Sequence, residues 1–442
     1  MLKTNYATIL KVAIPLMAGT FVQSLVMITD AAILSRYSTL SFDASGNAGL
    51  IYVSLFMGLT GLGDAGQIII ARRIGQKKNN SINGILQSSF ALNLFVGLLF
   101  MMIVLFCIPA MLNSYSLNLE LASEQIQFLN IRTLGFIAAA FMLSLNAYFM
   151  AIGKTWVIFL SMLVFAVTNI LLDYLLVFGV GSIPAMGIKG AAWASVIAES
   201  IATLVLLLFL IRSSTFNAHL IFSTFAVKLT HIKNIVRVGA PLMIQGFFAL
   251  ATWTVFFTWI EQVGTYELTV SQNIRAVYFL AFVPIFGFGA TTRTYISQYM
   301  DWNNPKIINR IIKRIILLNL GFILLFFHGA LLYPEALISL INPSADYLSD
   351  SVEILQVIFG SILIFGISTP LFQTINGSGN TKATLIVELI SIVIYLLTAY
   401  YFIKVWELTL LKIWTVEYIY FGTLLLASFI YLRFFNWRNK II

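Results

Sequence analysis

Carboxylates inside apolar runs are the residues of this chain with the most chemistry in them. Asp30 lies in the apolar stretch 9–34. On insertion scales an Asp near the centre of a membrane helix costs about 2.5 to 3.5 kcal/mol, so it faces protein or water and marks function by default. Gly19, Gln23 and Asp30 recur at spacings of four and seven, which puts them on one face of a helix. Asn169 and Asp173 form an i, i+4 pair that shares a face, and Ser195 and Glu199 repeat that spacing. Two or three carboxyls brought together in a low dielectric support two chemistries. Crowded acids carry a proton between them, or their oxygens, with those of Asn and Ser, ligate a hard cation such as Na+ at Asp30 and Asp173. Spacing does not separate the two. The plainer alternatives are a structural carboxyl for Asp30 and a lobe-stabilising network for Asn169, Asp173 and Glu199.

The elements that must hold these residues are membrane helices. Sixty per cent of the 442 residues are hydrophobic and only 10% are charged, which excludes an ordinary soluble domain and a disordered chain. Crossing the hydrocarbon core takes about 20 apolar residues, and twelve such runs are present: 9–34, 46–71, 85–111, 125–150, 157–178, 187–211, 236–260, 271–298, 311–332, 352–376, 383–403 and 413–434. Lys and Arg concentrate in alternate loops, as with Arg72, Arg73, Lys77 and Lys78, while 113–125 and 333–353 carry none. By the positive-inside rule both termini are cytoplasmic in a multi-pass protein of the plasma (cytoplasmic) membrane. The first apolar run is long enough to span and contains Pro15 and Asp30, so it is expected to be the first helix rather than a cleaved signal. The net charge of +9 sits in short juxtamembrane loops, where it orients the chain and contacts anionic lipids. No nucleic-acid partner is expected. Cys107 is the only cysteine, which excludes an internal disulfide or a thiolate metal site.

The chain is also one six-helix block written twice. Adding 226 takes Pro15-Leu16-Met17 to Pro241-Leu242-Met243, Gly63 to Gly289, Ile82-Asn83 to Ile308-Asn309, and Gly153 and Thr155 to Gly379 and Thr381. A constant offset over this length marks a duplicated domain. The same shift takes Asp30, Asn169, Asp173, Ser195 and Glu199 to Phe256, Tyr395, Ala399, Phe421 and Leu425, so membrane-depth acids are expected in the first copy only. An even number of crossings per copy implies two lobes related by a pseudo-twofold axis along the membrane normal, with a cleft between them. The expected layout is an all-α integral membrane protein of twelve helices: an N-lobe at 1–212, a cytoplasmic linker at 213–235 and a C-lobe at 236–442. Gln23, Arg275 and Phe256 are the residues expected to face the cleft.

Other motifs weigh less. Gly61-Leu62-Gly63-Asp64-Ala65-Gly66 matches a dinucleotide fingerprint, but it lacks the strand that fingerprint needs and lies within an apolar helix. Small residues that let helices approach closely explain it better. Pro15 and Pro241 interrupt equivalent helices, which suits either paired moving segments or static kinks. Glu261 and Arg275 are expected to pair near outer helix ends, and Glu388 and Arg293 to snorkel at cytoplasmic ends. His219, His231 and His328 show no metal-ligand spacing.

Taken together, PLMAGTFVQSLVMITD (15–30), GQIIIARRIG (66–75), IGKT (152–155), NILLDYLLVFG (169–179), PAMGIKGAAWAS (184–195) and GSGNT (377–381) resemble the multidrug and toxic compound extrusion (MATE) family over nearly the whole chain. The resemblance implies an antiporter with two six-helix lobes around a V-shaped cleft, in which inward H+ or Na+ movement expels organic cations. Asp30 matches the family's acid in helix 1, and Asn169 with Asp173 its NxxxD pair in helix 5. Ser195 falls where many members have Thr, and Pro15 where the DinF-like branch has the proline at which bending of helix 1 has been proposed. NorM transporters use acids in helices 7 and 10, whereas Ala249 fills the helix 7 position and helix 10 has no acid beyond Glu353 at its start, which resembles the DinF-like branch. No enzyme activity, no cofactor beyond the coupling ion and function as a monomer are expected. The rivals are a lipid-linked sugar flippase of the same superfamily, a polytopic membrane enzyme and a scaffold that no longer transports.

Overall fold

The computed structural model describes residues 1–115, 118–213, 227–302 and 304–439. Most of the expected interlobe linker, including His219, lies outside the described residues. The described chain is helical throughout, with no strand. The first copy supplies α1 (Tyr6–Tyr37), α2 (Thr39–Gly75), α3 (Ile82–Phe106), α4 (Ile108–Tyr115), α5 (Leu119–Arg132), α6 (Gly135–Ile152), α7 (Thr155–Phe178) and α8 (Ile188–Ile211). The second supplies α9 (Leu229–Glu261), α10 (Thr265–Tyr299), α11 (Pro305–Phe327), α12 (Gly329–Leu332), α13 (Pro334–Ile341), α14 (Leu348–Gly377), α15 (Thr381–Tyr400), α16 (Leu410–Trp414) and α17 (Val416–Phe434).

Among the described residues, eleven helical segments are long and apolar enough to cross a membrane. The twelfth span is α11, whose first turns carry Lys306, Arg310, Lys313 and Arg314 before its apolar remainder. Two expected runs are subdivided. The run 125–150 breaks at Thr133 and Leu134, between α5 and α6, and the run 311–332 ends in the short α12. Helix ends follow local chemistry. α6 stops at Gly153, in the left-handed region at φ 75°, and Gly379 closes the equivalent helix α14 at φ 85°. The Lys154 N–H then closes on the Phe149 carbonyl at 2.9 Å, the glycine-capped ending that lets the chain turn into the next span. Thr155 and Thr381 open α7 and α15 in turn, so the paired GKT and GNT motifs are helix hairpins.

By packing, the chain forms two compact units, Ile14–Met243 and Met1–Ala13 with Ile244–Ile442. α1 and α9 each run unbroken through a proline, Pro15 and Pro241, beside which the division falls. The residues before Pro15 are therefore part of the second-copy bundle. There the Leu2 N–H donates to Gln298 Oε1 at 2.9 Å and the Tyr295 hydroxyl to the Lys3 carbonyl at 2.9 Å. Reciprocally, the N–H of Lys228, just ahead of α9, donates to Ser88 Oγ at 3.3 Å in the first-copy bundle.

The glycine motif of α2 serves close packing in the Ile14–Met243 unit. A Cβ on Gly61 would lie 2.5 Å from the Met243 backbone nitrogen and 2.8 Å from the Leu242 carbonyl carbon. One on Gly63 would lie 3.3 Å from Leu143 Cβ. Because backbone cannot yield as a side chain can, Gly61→Val is expected to cost about 1 to 3 kcal/mol, the usual range for overpacking. Thermal unfolding in detergent reads this out, and a melting temperature equal to wild type would refute the packing role.

Candidate functional site

The site is built on α1, α7 and α8. Asp30 sits on α1, Asn169 and Asp173 share one face of α7, and Ser195 lies on α8. Asn169 and Asp173 are 0% and 1% exposed. The Asp30 and Asp173 carboxyls lie within hydrogen-bonding reach of each other, and the Asn169 amide donates to Ser195 Oγ at 3.4 Å. The structure thus brings together four of the residues singled out from sequence.

The oxygens of this pocket are poorly satisfied. Asp30 Oδ1, Asn169 Oδ1 and both carboxylate oxygens of Asp173 are buried and accept no hydrogen bond. Buried acceptors of this kind are rare in native proteins and call for a reason. Two carboxyls at hydrogen-bonding reach repel when both are ionised, so a proton or a cation between them holds the pair together.

Glu199 behaves differently. Both of its oxygens receive the guanidinium of Arg132, with Nη1 to Oε2 at 2.9 Å and a shorter contact from Nη2 to Oε1. The fork-to-fork geometry is that of a strong, oriented ion pair. The guanidinium carbon stands 3.9 Å from the Tyr52 ring centroid, and Tyr52 in turn stacks on Phe136 at 4.6 Å. Arg132 closes α5 at the break in this span, and the first residue of α6 makes room for it. A Cβ on Gly135 would fall 2.3 Å from Arg132 Nη1 and 2.6 Å from Glu199 Oε2. Arg132 is close enough for its charge to act on the Asp30 carboxyl. The structure therefore sets Glu199 against Arg132, beside the acid pair, rather than within it.

Residues expected at the cleft fall in different surroundings. Gln23 is exposed on α1. Phe256 is 1% exposed and does not present a cleft wall, because its ring packs in the second-copy core at 5.6 Å from both Tyr395 and Trp414. Arg275 is half-buried with its guanidinium 4.9 Å from the Phe257 centroid. Glu261 is exposed, and among the described residues no ion pair joins the two.

The second copy also corrects the expectation that membrane-depth acids are confined to the first. Glu417 on α17 is 1% exposed and accepts hydrogen bonds from the hydroxyls of Tyr278 and Tyr395, each at 3.1 Å. Glu388 on α15 is buried and accepts from Tyr420. It does not snorkel, since its carboxyl is spent on a neighbouring helix. Arg293 is buried as well. The sequence signal that could have found this cluster is Tyr52, which the 226-residue shift carries onto Tyr278.

Paired helical bundles with unsatisfied acids at membrane depth define a polytopic membrane protein of the secondary-transporter class. The MatE family profile matches residues 15–175 and 241–401, two segments offset by the same 226 residues as the internal repeat. The chain belongs to the MatE family of multidrug and toxic compound extrusion transporters. A probable multidrug resistance protein NorM of Thermotoga maritima is 24% identical over 412 residues, covering 92% of this chain and 87% of that relative. One of the same name from Bacillus cereus is 25% identical over 224 residues, 50% of this chain and 49% of its own. Among solved structures, a MOP superfamily transporter from Pyrococcus furiosus aligns with a TM-score of 0.85 at 20% identity, over 96% of this chain and 94% of that one. An outward-facing multidrug resistance MATE transporter aligns with a TM-score of 0.87 at 19% identity, over 97% and 95% of the two chains. These likenesses show the fold of the protein.

Proposed function

We propose that the protein is a proton-coupled antiporter of the plasma membrane, exporting lipophilic organic cations, with the Asp30–Asp173 pair as the coupling site and both termini cytoplasmic. The observation that carries this reading is the set of buried, unpartnered oxygens on Asp30, Asn169 and Asp173. A proton bridges two oxygens, whereas a hard metal cation gathers several oxygen ligands around it. Two carboxyls at hydrogen-bonding reach, with only Asn169 and Ser195 beside them, suit the proton better than Na+.

Binding of the proton drives alternating access only by its differential affinity for the two states. A net charge moving through 100 mV supplies about 2.3 kcal/mol, but one-for-one exchange of a proton for a monovalent cation moves no net charge, so there the pH difference drives transport, with tenfold accumulation for about 1.4 kcal/mol. Pro15 and Pro241, where α1 and α9 pass from one packing unit to the other, are the bending points in this scheme. The curated relatives named for multidrug resistance support export of drug-like compounds. Ala249 and the absence of an acid in α14 beyond Glu353 support assignment to the DinF-like branch. No organic cofactor takes part, and one chain is the transporting unit.

Purified protein in proteoliposomes loaded with a fluorescent cationic dye decides the coupling ion. Dye movement is expected under an imposed pH gradient and not under a sodium gradient of equal size. Movement under the sodium gradient alone would overturn the proton assignment, and none under either would overturn the organic-cation substrate.

A further inference from the structure

The second-copy bundle carries two buried carboxyls that coupling through Asp30 and Asp173 leaves unused. Glu417 lies at the start of α17, clamped between Tyr278 of α10 and Tyr395 of α15. One turn further along α17 is Tyr420, whose hydroxyl donates to Glu388 on α15. The rings of Tyr395 and Tyr420 lie 5.4 Å apart, edge to face. Glu388 and Tyr395 are seven residues apart on α15, hence on one face, and Glu417 and Tyr420 three apart on α17. The four side chains form a polar string, Glu388–Tyr420–Tyr395–Glu417, inside an apolar bundle. Seven residues of helix rise about 10 Å, so the string covers about a third of the hydrocarbon core.

We propose that Glu417, held by Tyr278 and Tyr395 and connected through the Tyr395–Tyr420 pair to Glu388, is a second proton-binding site, loaded and unloaded separately from the Asp30–Asp173 pair. Three observations bear on it. The first is charge. The titratable groups facing Glu417 are Tyr278 from α10, Tyr395 from α15 and Tyr420 from its own helix, with Tyr418 beyond Tyr278 and Glu388 beyond Tyr420. No Lys, Arg or His among the described residues acts on either carboxyl. Glu199 in the first copy has Arg132 to neutralise it. Glu417 has only phenols, and a lone buried charge is costly, so a proton is the natural counter-charge.

The second observation is that the clamp accommodates both states of the acid. With Glu417 ionised, the two phenols donate to its two oxygens, as the structure shows. With Glu417 protonated, one phenol rotates its O–H away and accepts the carboxyl proton instead. Phenol hydroxyls rotate freely enough to act as donor or acceptor, so binding and release require only the exchange of one proton and one hydroxyl rotation. The phenol that turns away is Tyr278, whose hydroxyl has the Ser361 hydroxyl within reach as its alternative acceptor.

The third is position in the repeat. Tyr278 is the counterpart of Tyr52, which lies on the Arg132–Glu199 pair, and Tyr395 is the counterpart of Asn169. Phe256 stands where the first copy has Asp30, and it packs against Tyr395. The two bundles thus place carboxyl chemistry at the same locus with different residues: an aspartate pair in one, a glutamate clamped by tyrosines in the other.

Infrared difference spectroscopy of the purified protein in lipid, between about pH 5 and about pH 9 to bracket carboxyl titration, tests the proposal. Wild type should show a protonated-carboxyl C=O band on acidification that Glu417→Gln removes and Asp30→Asn leaves in place. Tyr395→Phe keeps the ring and removes one hydroxyl, so it should move that band to higher frequency without abolishing it. This second variant decides the matter if Glu417→Gln does not fold. No pH-dependent band beyond those removed by Asp30→Asn and Asp173→Asn, or a band indifferent to both Glu417→Gln and Tyr395→Phe, would overturn the second site. The readout needs no transport, so failure of the dye assay or of the Asp30 assignment leaves this result standing on its own.

Discussion

Asp30→Asn and Asp173→Asn are each expected to reduce pH-gradient-driven dye efflux by about a hundredfold, the upper range for coupling between two binding events. Asparagine keeps the size and one acceptor of aspartate but cannot take up or release the proton. The Asp30 and Asp173 carboxyls lie within hydrogen-bonding reach, so removing either acid removes the shared proton and with it the differential affinity that turns a gradient into a conformational bias. Folding should survive, because replacing one member of a crowded acid pair by a neutral amide relieves repulsion instead of stranding a charge. Equal melting temperatures beside a lost proton dependence of transport would therefore locate the defect in coupling. Wild-type efflux in both variants would sink the assignment. Asn169→Ala is a milder lesion, since it removes one donor to Ser195 while both carboxyls remain.

The N-terminal half of this site was legible in the sequence because helical periodicity places residues on a face without knowledge of the partner helix. Asp30 within an apolar run, and Asn169 with Asp173 at i, i+4, needed only that rule. Other features depend on contacts distant in sequence. Arg132 and Glu199 are 67 residues apart, and nothing local to either says that they meet. The break at Thr133 and Leu134 was hidden because 125–150 contains no proline; Gly135, just after Arg132 and Thr133, was its local mark. Glu417 was passed over because it lies one residue into its helix, where an acid ordinarily meets water and complements the helix dipole. Burial by Tyr278 and Tyr395 from two other helices reverses that reading. Hydropathy is also blind to tyrosine as a hydrogen-bond donor, so the C-terminal copy, with Phe256 for Asp30 and Ala399 for Asp173, looked chemically silent.

The second large effect concerns the ion pair beside the acid site. Arg132→Ile alone strands Glu199 as an unpaired charge at 6% exposure, and breaking a buried pair in this way costs about 3 to 5 kcal/mol. Replacing both partners by apolar residues of similar volume is often neutral or stabilising, since neither charge then has to be desolvated. The repeat supplies the replacement: the counterparts of Arg132 and Glu199 in the second copy are Ile358 and Leu425, and Ile358 is fully buried there. Arg132→Ile with Glu199→Leu should accordingly recover most of the thermal stability that Arg132→Ile loses. Transport should not recover with it. Arg132 acts on Asp30, so the double variant keeps the fold but lacks the fixed positive charge beside the acid pair, which opposes uptake of any cation there, and the response of dye efflux to the imposed pH gradient should differ from wild type. If stability and wild-type transport instead return together, Arg132 only fills space at the α5–α6 break. If stability fails to return, the pair is held by more than its two charges, with the cation over the Tyr52 ring the first contact to remove.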